Sequence, residues 1–228
     1  MSCLAVRSDG ALAAGSDDQV DVWNVNSGAR MFNLQGHTAP VHALVALPDN
    51  HLASASSDAT VRVWDDSGVC IFTLANHGSW VRALTVMPDG NLVSCSDDTT
   101  VRVWDPATGV CLVTLVGHTA EVVALTVLPD GQLASGSYDQ TVRVWDTKTG
   151  QCSRTLAGNR RGVNAMVVLP GGNLVTSSFD LKLRVWDPST AQCLFTLPGH
   201  TKLVRALAVL PGGRLASGSD DKTVRVWE

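Results

Sequence analysis

Between His118 and Asp146 the apolar and polar positions fall into short extended runs separated by turn residues. Val122 to Leu128 is apolar and β-prone, and Pro129-Asp130-Gly131 ends it, proline presetting φ and glycine tolerating φ > 0. Gln132 to Ser137 resumes an extended run, and Asp139 turns the chain into Thr141 to Trp145. After Thr147-Lys148-Thr149-Gly150 a fourth strand is predicted over Gln151 to Leu156, and the pattern restarts at Gly158. Helical periodicity is absent throughout. The prediction is an all-β chain built in units of four strands.

The tripeptide V-W-[D/E/N] closes the third strand of every unit, with Trp23, Trp64, Trp104, Trp145, Trp186 and Trp227 at intervals of 41, 40, 41, 41 and 41 residues. A lone four-stranded sheet cannot bury both faces, and a period of about 40 residues ending in this way marks the blades of a propeller. The repeats fall at approximately 1–35, 36–75, 76–116, 117–157, 158–198 and 199–228, a single β-propeller domain over 1–228. A chain of 228 residues with 45% hydrophobic side chains can bury a large core.

Essentially the whole chain resembles the WD-repeat β-propeller family. The resemblance implies a hydrogen-bonded tetrad of His, Ser or Thr, Asp and Trp in each blade. It falls on His37, Ser54, Asp58 and Trp64; His77, Ser94, Asp98 and Trp104; His118, Ser135, Asp139 and Trp145; and His200, Ser217, Asp221 and Trp227. The fifth repeat has Asn159 and Thr176 beside Asp180 and Trp186, so its network is expected to be altered. The first has no histidine slot, Ala14 in the serine slot, and one residue fewer between Asp18 and Trp23, and is expected to be the least well tied.

Serine, histidine and aspartate together also fit a hydrolase. Catalysis, however, needs one asymmetric constellation facing an oxyanion hole, and this set recurs once per repeat. The chain has no G-x-S-x-G elbow, glycine-rich phosphate loop or H-E-x-x-H. The set reads as structural, with no catalytic residue, metal or cofactor expected. Cys70, Cys111, Cys152 and Cys193 recur every 41 residues and, with Cys3 and Cys95, are expected to be packed thiols.

The net charge of −4 argues against nucleic acid or an anionic membrane as main partner, since phosphate binding normally uses a basic stripe. The basic pair Arg160-Arg161 reads as a solvated loop. The N-terminus has no signal-like region and no run approaches the ~18 apolar residues of a membrane span, so a cytoplasmic location is expected, with the nucleus also open. Met1 falls in the slot of Val204 and Glu228 follows a third strand. The sixth blade is therefore expected to lack its outer strand, as in a piece of a seven-bladed ring, with a complete six-bladed ring as the alternative.

The resemblance further implies that residues just after the histidine slot, and the residue before the turn aspartate, look out from one rim that binds peptides. At these positions the repeats disagree, and Trp80, Arg82, Tyr138, Phe179, Leu203 and Arg205 stand out as large or cationic. Arg62, Arg102, Arg143, Arg184 and Arg225 instead belong to the repeat and are expected to cover the sheet or pair with acids. Two function classes follow. One is a non-catalytic protein-interaction scaffold, part of a multiprotein complex, taking an acidic or phosphorylated protein or peptide on the rim. A narrower version is a substrate-recognition or ubiquitin-binding module, by similarity to ubiquitin-ligase receptor propellers and the phospholipase-A2-activating protein family. The other is a small-molecule-binding or enzymatic propeller using the central channel, or an accessory domain of a larger enzyme.

Overall fold

A computed structural model describes residues 3–228, in two compact units, one ending at Thr114 and the other beginning at Leu115. The first carries three four-stranded sheets. These are β1 (Cys3–Val6), β2 (Leu12–Ser16), β3 (Gln19–Trp23) and β4 (Arg30–Leu34); β5 (Val41–Ala46), β6 (Leu52–Ser56), β7 (Val61–Trp64) and β8 (Cys70–Leu74); and β9 (Val81–Val86), β10 (Leu92–Ser96), β11 (Val101–Asp105) and β12 (Val110–Leu115). In the second unit, β13 (Val122–Val127), β14 (Leu133–Ser137), β15 (Thr141–Asp146) and β16 (Gln151–Ala157) form one sheet. β17 (Val163–Val168), β18 (Leu174–Ser178), β19 (Leu183–Asp187) and β20 (Gln192–Leu197) form the next. The last has three strands, β21 (Val204–Val209), β22 (Leu215–Ser219) and β23 (Val224–Trp227). Each sheet is a meander in chain order, so every repeat folds from local antiparallel pairings. Met1, whose predicted slot matches Val204, lies outside the described residues. Among the described residues no helix is long and apolar enough to cross a membrane.

Within each unit the core sits between consecutive sheets. Val20 and Val22 of β3 pack against Val41, Leu44, Leu52 and Trp64 of the next sheet, and Val142 and Val144 of β15 pack against Val163, Leu174 and Trp186. Trp64, Trp104 and Trp186 so fill the gap beside the preceding sheet of their own unit, which explains why the repeat spends a large aromatic there. The second strands β6, β10, β14 and β18 are buried along their whole length and are made largely of Ala, Ser, Gly and Val. The close approach demands small side chains. A Cβ added at Gly136 would stand 2.7 Å from Val163 of the next sheet.

Turn chemistry marks where the repeats diverge. Asn50 takes φ 58 where Gly90 and Gly131 take φ 88 and 81, asparagine being a side chain that tolerates the left-handed region. The Pro48–Asn50 turn is also the one short 3-10 element among the described residues. In the first sheet Ser16 pairs with Gln19, leaving a two-residue Asp17-Asp18 turn with Asp17 at φ 50. The missing residue is absorbed there, and Leu12 still pairs with Trp23 as Leu52 does with Trp64.

Candidate functional site

In four sheets the structure brings the tetrad residues into one chain of hydrogen bonds. Trp64 Nε1 donates to Ser54 Oγ at 2.8 Å, Ser54 Oγ lies 2.7 Å from His37 Nε2, and His37 Nδ1 lies 2.8 Å from Asp58 Oδ2. The corresponding distances are 2.8, 2.8 and 2.8 Å around Ser94, 2.7, 2.8 and 2.7 Å around Ser135, and 2.9, 2.8 and 2.8 Å around Ser217. A carboxylate only accepts, so His37 Nδ1–H donates to Asp58, Nε2 accepts from the serine, and the serine accepts from the indole. Asp58 also accepts from Thr60 Oγ1 at 2.7 Å and from the Thr38 backbone N–H at 3.1 Å. Burial lowers the pKa of His37 and His118 against the opposing pull of their aspartates. For Asp58 and Asp139 burial works to raise the pKa, and hydrogen bonds from Thr60 and His37, and from Thr141 and His118, outweigh it and hold both low.

This connectivity is that of a serine hydrolase triad, but its surroundings differ. Ser54, Ser94 and Ser135 are 0% exposed and each already accepts an indole N–H. A hydroxyl sealed in this way meets no substrate.

Two sheets depart from the pattern. Asn159 is shorter than histidine and does not span from Thr176 to Asp180. Its Oδ1 accepts from Thr176 Oγ1 at 3.0 Å, Trp186 Nε1 donates to the same hydroxyl at 2.9 Å, and the buried Nδ2 finds no hydrogen-bond partner. Asp180 instead takes the fork of Arg184 at 3.1 and 2.5 Å. The first sheet relies on Arg7, whose buried guanidinium pairs with Asp9 at 3.1 Å, reaches the Asp66 carbonyl of the second sheet at 3.4 Å and lies over the Phe32 ring. Sequence reasoning missed Arg7, which stands where the other repeats have Leu47, Met87, Leu128, Leu169 and Leu210 and makes the same turn, its N–H donating to the Ala11 carbonyl at 2.9 Å.

Three of the other repeat arginines cover their blades. Arg62 and Arg143 lie over the rings of Trp64 and Trp145, and Arg102 donates to Thr114 Oγ1 at 3.1 Å. No disulfide joins the six cysteines, and Cys95 is fully buried with its thiol pKa pushed up by that burial.

The rim residues share one construction. In five sheets the first strand carries a bulge just after its first residue, and the extra residue is His42, Arg82, Val123, Asn164 or Arg205. A bulge releases its residue from the ladder and re-aims the side chain, here toward the end where the second strand turns into the third. There His42 Nε2 lies 2.6 Å from Ser57 Oγ, and Arg205 meets Asp220 at 2.9 Å. Arg82 donates to both oxygens of Asp97 at 2.7 Å. In these three sheets the partners are fifteen residues apart. Complementary residue types at that spacing were the available signal, and the bulge itself has none.

In the first unit Trp80 is 47% exposed, with the Arg82 guanidinium 4.7 Å from its ring centroid and the His42 ring at 5.9 Å. In the second unit the Tyr138 and Phe179 rings meet edge to face at 5.1 Å. Phe179 and Leu203 are half-buried, and the Leu203 carbonyl accepts from the Asp220 N–H at 2.9 Å. Arg82 and Arg205 thus both have carboxylate partners of their own.

The WD domain, G-beta repeat, matches residues 28–65, 68–105, 109–146, 150–187 and 191–228. Each matched segment begins near the outer strand of one sheet and ends after the V-W of the next, so family repeat and sheet are offset by one strand. The chain is 51% identical over 53 residues to Mitochondrial division protein 1 of Pyricularia oryzae, 23% of this chain and 8% of that protein. It is 46% identical over 67 residues to Periodic tryptophan protein 2 of Arabidopsis thaliana, 28% of this chain and 7% of that one. WD repeat-containing protein 26 homolog of Arabidopsis thaliana is 38% identical over 66 residues, 28% and 11% of the two chains. The similarity to these relatives covers a small part of their length. The matched repeats cover most of the present sequence, which belongs to the WD-repeat family.

Proposed function

We propose that this chain is a non-catalytic protein-interaction scaffold that takes protein or peptide partners on its rim loops. The observation that carries the reading is Trp80. Nearly half of this large ring faces solvent, yet it is held between Arg82 and His42, and Arg82 is in turn fixed by Asp97. An aromatic immobilised before binding loses little entropy on contact, and such residues dominate interface energetics. In the second unit the Tyr138–Phe179 pair offers a similar rigid apolar surface, with Leu203 and Arg205 in the neighbouring sheet. The Ser-His-Asp sets, sealed and engaged four times over, supply no reactive group, which supports a binding role.

The scaffold is proposed to act in the cytoplasm within a multiprotein complex; a ubiquitin-binding or substrate-recognition role is its narrower form. Quantitative affinity capture with the parent chain and with Trp80→Ala and Tyr138→Ala tests the reading. Loss of specific partners from either variant, with an unchanged urea melt, supports it. Identical partner sets for all three chains overturn it.

A further inference from the structure

Charge is divided unevenly along this chain. Up to Thr114 there are five Lys or Arg against twelve Asp or Glu, and from Leu115 onward twelve against nine, so the formal −4 separates into −7 and +3. In the second unit the cations gather in the loops at one end of its last two sheets. Arg160 and Arg161 precede β17, Lys182 lies in the β18–β19 turn, Lys202 precedes β21, and Lys222 lies in the β22–β23 turn.

Hydrogen bonds tie these loops together. The Phe179 N–H donates to the Gly162 carbonyl at 3.3 Å, Ser219 Oγ to the Lys202 carbonyl at 3.1 Å, and the Lys222 N–H to the Ser219 carbonyl at 3.0 Å. Asn164 Nδ2 crosses from one sheet to the other to reach the Val204 carbonyl at 2.7 Å. The five cations therefore share one rim.

The acids in these loops of the last two sheets are already occupied. Asp180 is held by Arg184, Asp220 by Arg205, and Asp221 by His200 and Thr223. Arg160, Arg161, Lys182, Lys202 and Lys222 are all exposed, and among the described residues none is ion-paired to a carboxylate. Cations that outnumber the acids around them raise the local potential, and an anionic partner relieves it.

We propose that this rim docks an acidic, extended segment of a partner protein, its carboxylates against these five cations and an apolar side chain against Tyr138 and Phe179. The proposal deepens the rim reading above and shares only the aromatic pair with it. A peptide fits better than a nucleic acid. Asp180, Asp220 and Asp221 are interspersed among the cations in sequence, and a strand with a phosphate at every step would meet their carboxylates, whereas a peptide can space its acids around them.

The test is fluorescence anisotropy of the full chain with a short labelled peptide rich in Glu and carrying one Leu. The parent should bind it at about 50 mM salt and release it as salt rises to about 300 mM. Arg160→Glu, Arg161→Glu, Lys182→Glu and Lys202→Glu combined should weaken binding at least about tenfold. Lys148→Glu with Arg214→Glu, in loops at the opposite strand ends, should leave it within about twofold. If the fourfold reversal melts early, the milder Lys182→Gln with Lys202→Gln carries the test, with an expected loss of about threefold. Equal binding by parent and rim variants, or no binding by the parent, overturns the proposal. Tighter binding of a poly(U) strand than of the peptide also overturns it and assigns the surface to nucleic acid. Should the acidic peptide fail while Tyr138-dependent capture persists, this inference falls and the scaffold reading stands.

Discussion

Arg82 and Asp97 form a two-pronged pair, Nε to Oδ1 and Nη2 to Oδ2, both at 2.7 Å. Arg82 is the extra residue of a bulge and Asp97 the residue before the turn aspartate, so the pair reinforces a corner where the Asp97 N–H donates to the Trp80 carbonyl at 2.9 Å. The indole of Trp80 lies against the same guanidinium. The pair therefore fixes the orientation of an exposed aromatic, and a site for partners is prepared before any partner arrives.

Removing Asp97 should loosen that arrangement. Arg82 and Asp97 are partly exposed, so solvent screens their attraction, and a double-mutant cycle of Arg82→Ala and Asp97→Ala in urea should give a coupling of about 1 kcal/mol or less. The more exposed Arg205–Asp220 pair should couple more weakly still. Equal coupling in the two cycles, or coupling insensitive to salt, would contradict the assignment.

The tetrads carry a larger share of stability. Asp139→Ala leaves His118 Nδ1–H and the Thr119 N–H without their acceptor, at about 1 to 3 kcal/mol. Asp18 belongs to a two-residue turn with no tetrad, and Asp18→Ala should stay within about 0.5 kcal/mol. Urea melts of the two variants decide the ranking, and comparable losses would count against it.

The strands and their period were legible because each rests on a local pattern: short apolar runs, turn residues, and a dipeptide at a fixed interval. The role of Arg7 was not, because its partners Asp9, Asp66 and Phe32 come from two sheets and the equivalent position in the other repeats is Leu or Met. Arg82 and Arg205 stand out in the sequence as cations at variable positions, and their carboxylate partners Asp97 and Asp220 stand fifteen residues further on. Conversely, Arg160-Arg161 looked like an isolated solvated pair. Its company of Lys182, Lys202 and Lys222 emerges only when two sheets lie side by side, since those residues are spread over more than sixty positions of chain.

Acid should unfold the protein in two stages, both of the same sign. His37 and His118 titrate below the ordinary 6.5, so the folded chain prefers them neutral. Their contribution is complete above 6.5 and declines as pH falls through the lowered folded values. Asp58 and Asp139 lie below the ordinary 3.8, and their contribution is present above that value and lost as pH falls further. Melting temperature should therefore drop first below about pH 6.5 and again below about pH 4. In His118→Gln the first drop should shrink. A melting temperature that is flat from pH 7 to below 4 would be inconsistent with buried neutral imidazoles.

The fifth sheet offers a gain rather than a loss. Asn159 leaves its Nδ2 buried and unpartnered, and its Oδ1 reaches only Thr176. The flanking framework matches its neighbours: Thr176 already accepts the Trp186 indole, and Leu174 pairs with Trp186 as Leu133 pairs with Trp145. Asn159→His supplies a ring long enough to accept from Thr176 at Nε2 and present Nδ1–H to Asp180. Asp180 is bound to Arg184, so the new imidazole competes with that guanidinium, and the net gain should be about 1 kcal/mol rather than the worth of two full bonds. The substitution should raise the urea midpoint without changing its slope and slow exchange of amides in β18 and β19. An unchanged or lowered midpoint would show that the Arg184–Asp180 pair, and not the missing ring, sets the stability of that sheet.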